Sequence, residues 1–374
     1  MNIGIHAVAA FRVQPTGVER YLCELLRSMA TLPDASTHRF LLYTNQQPTT
    51  HHQSHVMSGG LSGAGRWEIR VLRALLMWTQ LRLSWEMLRF PPDVLFSPAQ
   101  ALPRALPKSS VATVHGVEFL HVPDRYPATR RRYLDFITRD ALRRSRAVIV
   151  PSDATKGDLL RFYDANPEKV HVVPHGLPVF LSKEELHIAS PPPAPYFLYL
   201  GRLELNKNVD GIVRAFTRFR KRTGVTAPEL MLAGTPGFGF RRIRGLIGRS
   251  SARDGIHLRG YVSESEKQAL LRGAVALLFP SWAEGFGFPI LEAHMAGVPV
   301  VTSSVTAMPE VAGRRGALFV VPGADDELTE AMERLNEDRA LRRNLIISGQ
   351  QNIERFSWER AAAATLRILT EAAA

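Results

Sequence analysis

Short apolar runs alternate with amphipathic stretches along almost the whole chain. In the first half the apolar runs fall at 2–9, 40–44, 93–97, 111–115, 147–151 and 170–174, and helical periodicity covers 17–29, 75–88 and 130–144. The second half repeats the rhythm at 196–200, 230–233, 256–260, 275–280, 298–302 and 318–321. Strands this apolar are buried on both faces, which predicts parallel sheets covered by helices. The fold class expected is α/β, with two Rossmann-like, doubly wound domains. Between the halves, Ser190-Pro191-Pro192-Pro193-Ala194-Pro195 has no period, and its prolines remove donors and fix φ, as in a semi-rigid linker. The expected division is 1–178 for the first domain, 179–195 for the linker and 196–356 for the second, with a C-terminal helix over 357–374 returning to the first. Open parallel sheets bind ligands at the carboxyl ends of their strands. Chemistry is therefore expected just beyond the apolar runs.

Composition narrows the classes. A chain of 374 residues exceeds the usual single core, and 45% hydrophobic with 22% charged residues is ordinary for a globular protein. No stretch approaches the roughly 18–20 apolar residues of a membrane span. Met1-Asn2-Ile3-Gly4-Ile5 reads as a first strand without a basic leader, so no signal peptide is expected. Cys23, the only cysteine, sits in an apolar helical pattern and is expected to be buried; the compartment expected is the cytoplasm. The net charge of +12 favours anionic partners. No nucleic-acid-reading motif accompanies it, which leaves a phosphorylated small molecule or acidic lipid as the expected partner and excludes nucleic acid.

The segment 280–292, Pro-Ser-Trp-Ala-Glu-Gly-Phe-Gly-Phe-Pro-Ile-Leu-Glu, follows an apolar run and opens a helix that ends at Gly297. Gly285 and Gly287 allow close backbone approach, and Pro289 suits a first turn. The start of such a helix attracts anions. Glu292 is placed in about the first turn, where a carboxylate can accept two ribose hydroxyls; Glu284 precedes the turn. Taken alone, the same pattern is a strand-to-helix connection whose Glu complements the dipole. Gly201-Arg202-Leu203-Glu204-Leu205-Asn206-Lys207-Asn208 follows the run 196–200 and sets two cations at the same sheet edge, suited to clamping a diphosphate.

Glu284 and Glu292 form an E-x7-E spacing. With Gly-Arg…Lys-Asn at 201–208, Glu-Gly-Phe-Gly at 284–287, Val-Val-Pro-His-Gly at 172–176 and Phe-Ser-Trp at 356–358, the chain resembles the large retaining GT-B glycosyltransferase family 4. The resemblance implies two domains facing across a cleft and transfer of a hexose from a nucleotide-diphosphate sugar. It implies that Arg202 and Lys207 hold the diphosphate, that Glu292 binds the ribose, and that Glu284 lies beside the transferred sugar. Gly285, Phe286 and Gly287 would supply backbone contacts, and Tyr261 and Val262 would pack around the base. From the first domain, Gly17 would offer a backbone N–H to the phosphates, and His115, ending the run 111–115, would meet the hexose. The catalytic set so implied is Glu284, His115, Arg202 and Lys207. A glycan or lipid-linked acceptor in surface polysaccharide synthesis is implied, with GDP-mannose as the donor favoured.

Local readings stand beside these. Ser263-Glu264-Ser265-Glu266 and Thr16-Gly17-Val18-Glu19 are capping-box patterns, and Arg20 reads either as an acceptor contact or as a solvated helix charge. No Asp-x-Asp triplet and no His/Cys cluster with metal spacing occurs, so neither a metal nor any other cofactor is expected. Two basic stretches, 66–89 with three tryptophans and 130–146, read either as helix faces resting on anionic lipid at the inner face of a membrane or as solvated charge. A nucleotide-sugar epimerase and a non-catalytic membrane-associated scaffold are the competing readings. A dinucleotide oxidoreductase is disfavoured, because Gly237-Phe238-Gly239 lacks a third glycine.

Overall fold

The computed structural model describes residues 1–11, 17–47, 65–74, 76–178, 195–224 and 227–374. The capping residue Thr16 and the proline-rich segment before Pro195 lie outside them. Two parallel sheets form. The first contains β1 (Asn2–His6), β2 (Arg39–Thr44), β3 (Arg66–Val71), β4 (Val94–Ser97), β5 (Ser110–Thr113), β6 (Ala147–Val150) and β7 (Val170–Val172), in the order β3-β2-β1-β4-β5-β6-β7. The second contains β8 (Tyr196–Leu200), β9 (Glu229–Ala233), β10 (Ile256–Gly260), β11 (Ala274–Phe279), β12 (Val300–Ser303) and β13 (Leu318–Val320), in the order β10-β9-β8-β11-β12-β13. Each order reverses direction once, between β1 and β4 and between β8 and β11, the switch points where doubly wound sheets hold ligands.

Two compact units result. The first comprises Met1–Val117, Arg132–Gly176 and Phe356–Ala374; the second comprises Glu118–Arg131 and Leu177–Arg355. Glu118–Arg131 packs with the second unit although it lies between strands of the first. In the first core, Ile3, Ile5, Phe40, Leu42, Val94 and Phe96 are buried by one face of the helix Gly17–Ala30 and by Leu366 and Leu369 of the helix Trp358–Ala373. Ser109 Oγ donates to Ala372 O at 2.6 Å, fastening that last helix beneath the sheet. Cys23 packs partly buried against this core, and burial pushes its thiol up to about 11, as an inert structural cysteine requires.

In the second unit Tyr196, Phe197, Leu198 and Tyr199 are fully buried, as strands sandwiched by helices should be. The helix Val209–Thr223 buries Ile212, Val213, Phe216 and Phe219 on one face. Its other face carries Arg214, Arg218 and Arg222, which pair with Asp325, Asp326 and Glu333 of the helix Asp325–Glu337.

The stretch 66–89 is not one amphipathic element. Arg66–Val71 forms β3, with Arg39 and Arg70 both paired to Glu68. Helical structure starts only at Thr79, later than the periodicity from 75 suggests, because Met77 adopts a left-handed φ of 48°.

Candidate active site

The second unit gathers the motif residues at its switch point. Lys207 ends the short turn Leu205–Lys207 beyond β8; Glu284 lies in the loop beyond β11. These strands are neighbours, so residues 77 positions apart meet: Lys207 Nζ donates to both carboxylate oxygens of Glu284 at 2.8 Å. Burial works against the Lys207 charge, but Glu284, Tyr126 and Glu118 outweigh it and hold its pKa above the ordinary lysine value.

The glycine-rich turn is built as its sequence requires. Gly287 caps the helix Phe288–Ala296 at φ 112°, a conformation that strains any side chain, and Pro289 occupies the first turn. Gly297 ends the helix in the left-handed region. Phe286 is buried. Glu284 N donates to Thr306 Oγ1 at 3.1 Å, which fixes the loop.

Gly285 N donates to Glu118 Oε1 at 2.9 Å. A carboxylate therefore already sits where the loop offers its amide. Burial, with Glu284 nearby, raises the Glu118 pKa, while Lys207 opposes the rise. The segment bearing Glu118 is anchored twice more. Arg125 donates to Leu205 O at 2.7 Å and lies 4.2 Å above the Trp282 ring, and Tyr126 OH accepts from Asn206 Nδ2 at 3.0 Å. Sequence reasoning missed Glu118, Arg125 and Tyr126. The available signal was a carboxylate three residues beyond His115, at a strand's carboxyl end.

Arg202 and Lys207 contact different carboxylates. Arg202 is half exposed and pairs with Glu204, Nε to Oε1 at 2.6 Å. Each cation thus holds its own carboxylate.

Glu292 falls in the second turn of its helix, past the first turn expected, and is buried. It pairs there with Lys267, itself buried on the helix Glu264–Gly273, which also contacts Glu264 at 2.5 Å. Lys267 went unnoticed because nothing local marks it, although it follows the capping box of Ser263 and Glu266 by one residue. Tyr261 and Val262 connect β10 to this helix; Tyr261 is exposed and Val262 half-buried, near the helix that carries Glu292's partner.

In the first unit, Gly17 is the exposed first residue of its helix, and Arg20 is half-buried there. His115 Nε2 lies 2.7 Å from Pro98 O, and the ring meets Tyr21 edge-on at 4.8 Å. Burial lowers its pKa to about 4, so the ring is neutral near pH 7 and donates Nε2–H to the carbonyl. It acts there through a hydrogen bond, not a charge. His175 stacks on Trp358 behind it, a packing role. Among the described residues no group of three or more His, Cys, Asp or Glu is placed to hold a metal ion.

Comparison with known proteins agrees with this architecture. The profile "Glycosyltransferase Family 4" matches residues 15–179, and "Glycosyl transferases group 1" matches residues 183–352. The chain belongs to the GT-B glycosyltransferases of the family 4 type and is a glycosyltransferase. It is 26% identical to O-antigen chain mannosyltransferase B of Escherichia coli, over 97% of this chain and 98% of that one. Its fold is that of sucrose-phosphate synthase from Thermosynechococcus elongatus (TM-score 0.73, 17% identity, 99% and 98% of the two chains). It is also that of Anabaena HepE, solved with UDP and glucose (TM-score 0.70, 17% identity, 99% and 100%).

Proposed function

We propose that this enzyme transfers a mannosyl group from a nucleotide-diphosphate sugar, GDP-mannose, to a glycan or lipid-linked acceptor of a surface polysaccharide, with retention of anomeric configuration and without a metal. The end-to-end similarity to an O-antigen mannosyltransferase supports the sugar and the pathway class. The observation that carries the donor site is the Lys207–Glu284 pair beside the Glu118–Gly285 contact, at the switch point between β8 and β11.

Lys207 turns from Glu284 to the diphosphate as the donor binds, and Arg202 joins it. The C1–O bond to the diphosphate breaks, the acceptor oxygen bonds to C1 on the same face, and the acceptor proton passes to the leaving phosphate oxygen. Both cations stabilise charge that grows on the diphosphate, worth on the order of 10²–10³ in rate for each such group. Glu284 positions the sugar hydroxyls and Glu292 the ribose.

A thermal-shift panel of GDP-mannose, GDP, UDP-glucose and UDP tests this. At 100 times its dissociation constant a ligand adds about 2.7 kcal/mol of stability. GDP-mannose and GDP should raise the melting point and the uridine compounds should not. A shift only with UDP-glucose overturns the donor assignment. Acceptor-dependent release of GDP that survives EDTA separates transfer from epimerisation and supports the metal-free reading; activity lost to EDTA and restored by Mg²⁺ overturns that reading.

A further inference from the structure

The first unit has a switch point of its own, between β1 and β4, where an open parallel sheet can hold a ligand. A cavity of about 350 Å³ lies there. Three neighbouring strands reach it with their carboxyl ends: His6 closes β1, Asn45 follows β2 and Pro98 follows β4. The chain from Met77 to Gln80 forms another side. Met77 has its left-handed φ of 48° here, and Thr79–Leu83 winds as a wide π-type turn. Departures of both kinds collect at functional sites. The cavity also adjoins His115, because Pro98, which lines it, accepts the His115 Nε2–H at 2.7 Å.

The lining selects a class of ligand. Trp78 and His6 stack with ring centroids 5.2 Å apart, and Tyr133, on the helix Ala128–Arg144, lines the cavity while 57% exposed. The negative face of an aromatic ring attracts C–H groups such as those of a pyranose. Asn45, Gln80 and Tyr133 add amide and phenol groups that both donate and accept. Gln80 is held in place by donating Nε2 to Leu102 O at 3.0 Å, which leaves its Oε1 to accept from a ligand hydroxyl. Aromatic and apolar walls with a few placed polar groups are the make-up of a small-molecule site. No Lys, Arg, Asp or Glu is among the described residues that line it. Burial lowers the His6 pKa to about 4, so this ring too is neutral near pH 7. An anion entering such a cavity would lose its water and meet no counter-charge, whereas a neutral sugar exchanges bonds to water for bonds to amides and phenol.

We infer that this cavity takes the receiving end of the acceptor and selects an uncharged hexopyranose there, against an acidic sugar or a phosphate. The role in turnover rests on the transfer reading above; the binding itself does not, since every residue of the cavity belongs to the first unit.

Saturation-transfer NMR of the full-length protein with methyl α-mannopyranoside, methyl β-glucopyranoside and their C6-carboxylate counterparts tests it, because binding is read without donor or turnover. At least one neutral glycoside should bind, and its carboxylate counterpart should bind roughly tenfold more weakly or worse. Trp78 belongs to the core, so the exposed Asn45 and Tyr133 are replaced instead. N45A/Y133A should melt like the wild type and weaken the neutral glycoside by roughly tenfold or more, the worth of a hydrogen bond and an aromatic contact together. In turnover the same variant should raise the acceptor KM by that factor and leave the dissociation constant of the nucleoside diphosphate unchanged. The comparison of neutral and acidic glycosides needs no variant, so it decides the matter even if N45A/Y133A fails to fold. Three outcomes overturn the assignment: no neutral glycoside binds, a carboxylate counterpart binds as tightly as its neutral parent, or the folded double variant binds the neutral glycoside as the wild type does. A failed nucleotide panel with glycoside binding retained would sink the donor reading alone.

Discussion

Replacing Lys207 by alanine removes a cation bonded to both oxygens of Glu284. Its loss leaves the Glu284 and Glu118 carboxylates near one another with no positive charge between them. Breaking a buried pair costs about 3–5 kcal/mol and an exposed pair about 0–1 kcal/mol. With 23% and 10% of the two side chains exposed, this pair lies between those limits, at roughly 1–3 kcal/mol. For a unit of this size that lowers the melting temperature by about 3–10 °C. Turnover should fall further, by on the order of 10²–10³, because the same ammonium stabilises the departing diphosphate. The K207A/E284Q double variant separates the two roles. Removing the unpaired charge should recover most of the lost stability and none of the lost turnover. Calorimetric melting and acceptor-dependent release of nucleoside diphosphate measure both quantities. Turnover of the single variant within about tenfold of wild type, or turnover that returns together with stability, would refute the phosphate-binding role.

Glu292→Ala should weaken nucleoside diphosphate binding by roughly tenfold or more, the worth of a charge-assisted contact; the fold should persist because Lys267 keeps Glu264, and an unchanged dissociation constant in titration calorimetry removes Glu292 from the ribose site. Glu118→Ala should tighten nucleoside diphosphate binding at least severalfold, since its carboxylate occupies the Gly285 amide and opposes a second anion, worth about 1 kcal/mol at ~4 Å even with the screening of bulk water; equal or weaker binding refutes the idea that Glu118 occupies an anion position. Acid should destabilise the protein well above the carboxylate range. Burial holds His6, His115 and His294 at about 4, below their ordinary 6.5, so the unfolded chain binds more protons between those values. Stability present above pH 6.5 is lost as the pH falls toward 4. His294 alone contributes about 1.4 kcal/mol per pH unit in that window, having Gly316 O as acceptor for Nε2 and no acceptor at Nδ1. A melting temperature flat from pH 7 to 4.5 would contradict this, and His294→Gln should make the slope shallower.

Much of this protein is written locally. Apolar runs of strand length, separated by amphipathic helices, specify two parallel sheets, because a strand buried on both faces leaves a period-free apolar signature. Gly287, Pro289 and Gly297 mark their helix ends by backbone conformation alone, and Glu284, Lys207 and Glu292 are visible through spacing. β3 was hidden because Arg66, Glu68 and Arg70 give an edge strand the charge of a helix surface, which cross-strand ion pairs then satisfy. Partnership was decided only in three dimensions. The neighbouring of β8 and β11 brings Lys207 to Glu284, and the packing of Glu118–Arg131 with the second unit delivers a carboxylate to Gly285. Arg202 found a partner in Glu204, and the helix beside Glu292's own supplied Lys267. Residue types and their order determine which elements form. Which charges meet depends on strand order and helix facing, and a one-dimensional pattern carries neither.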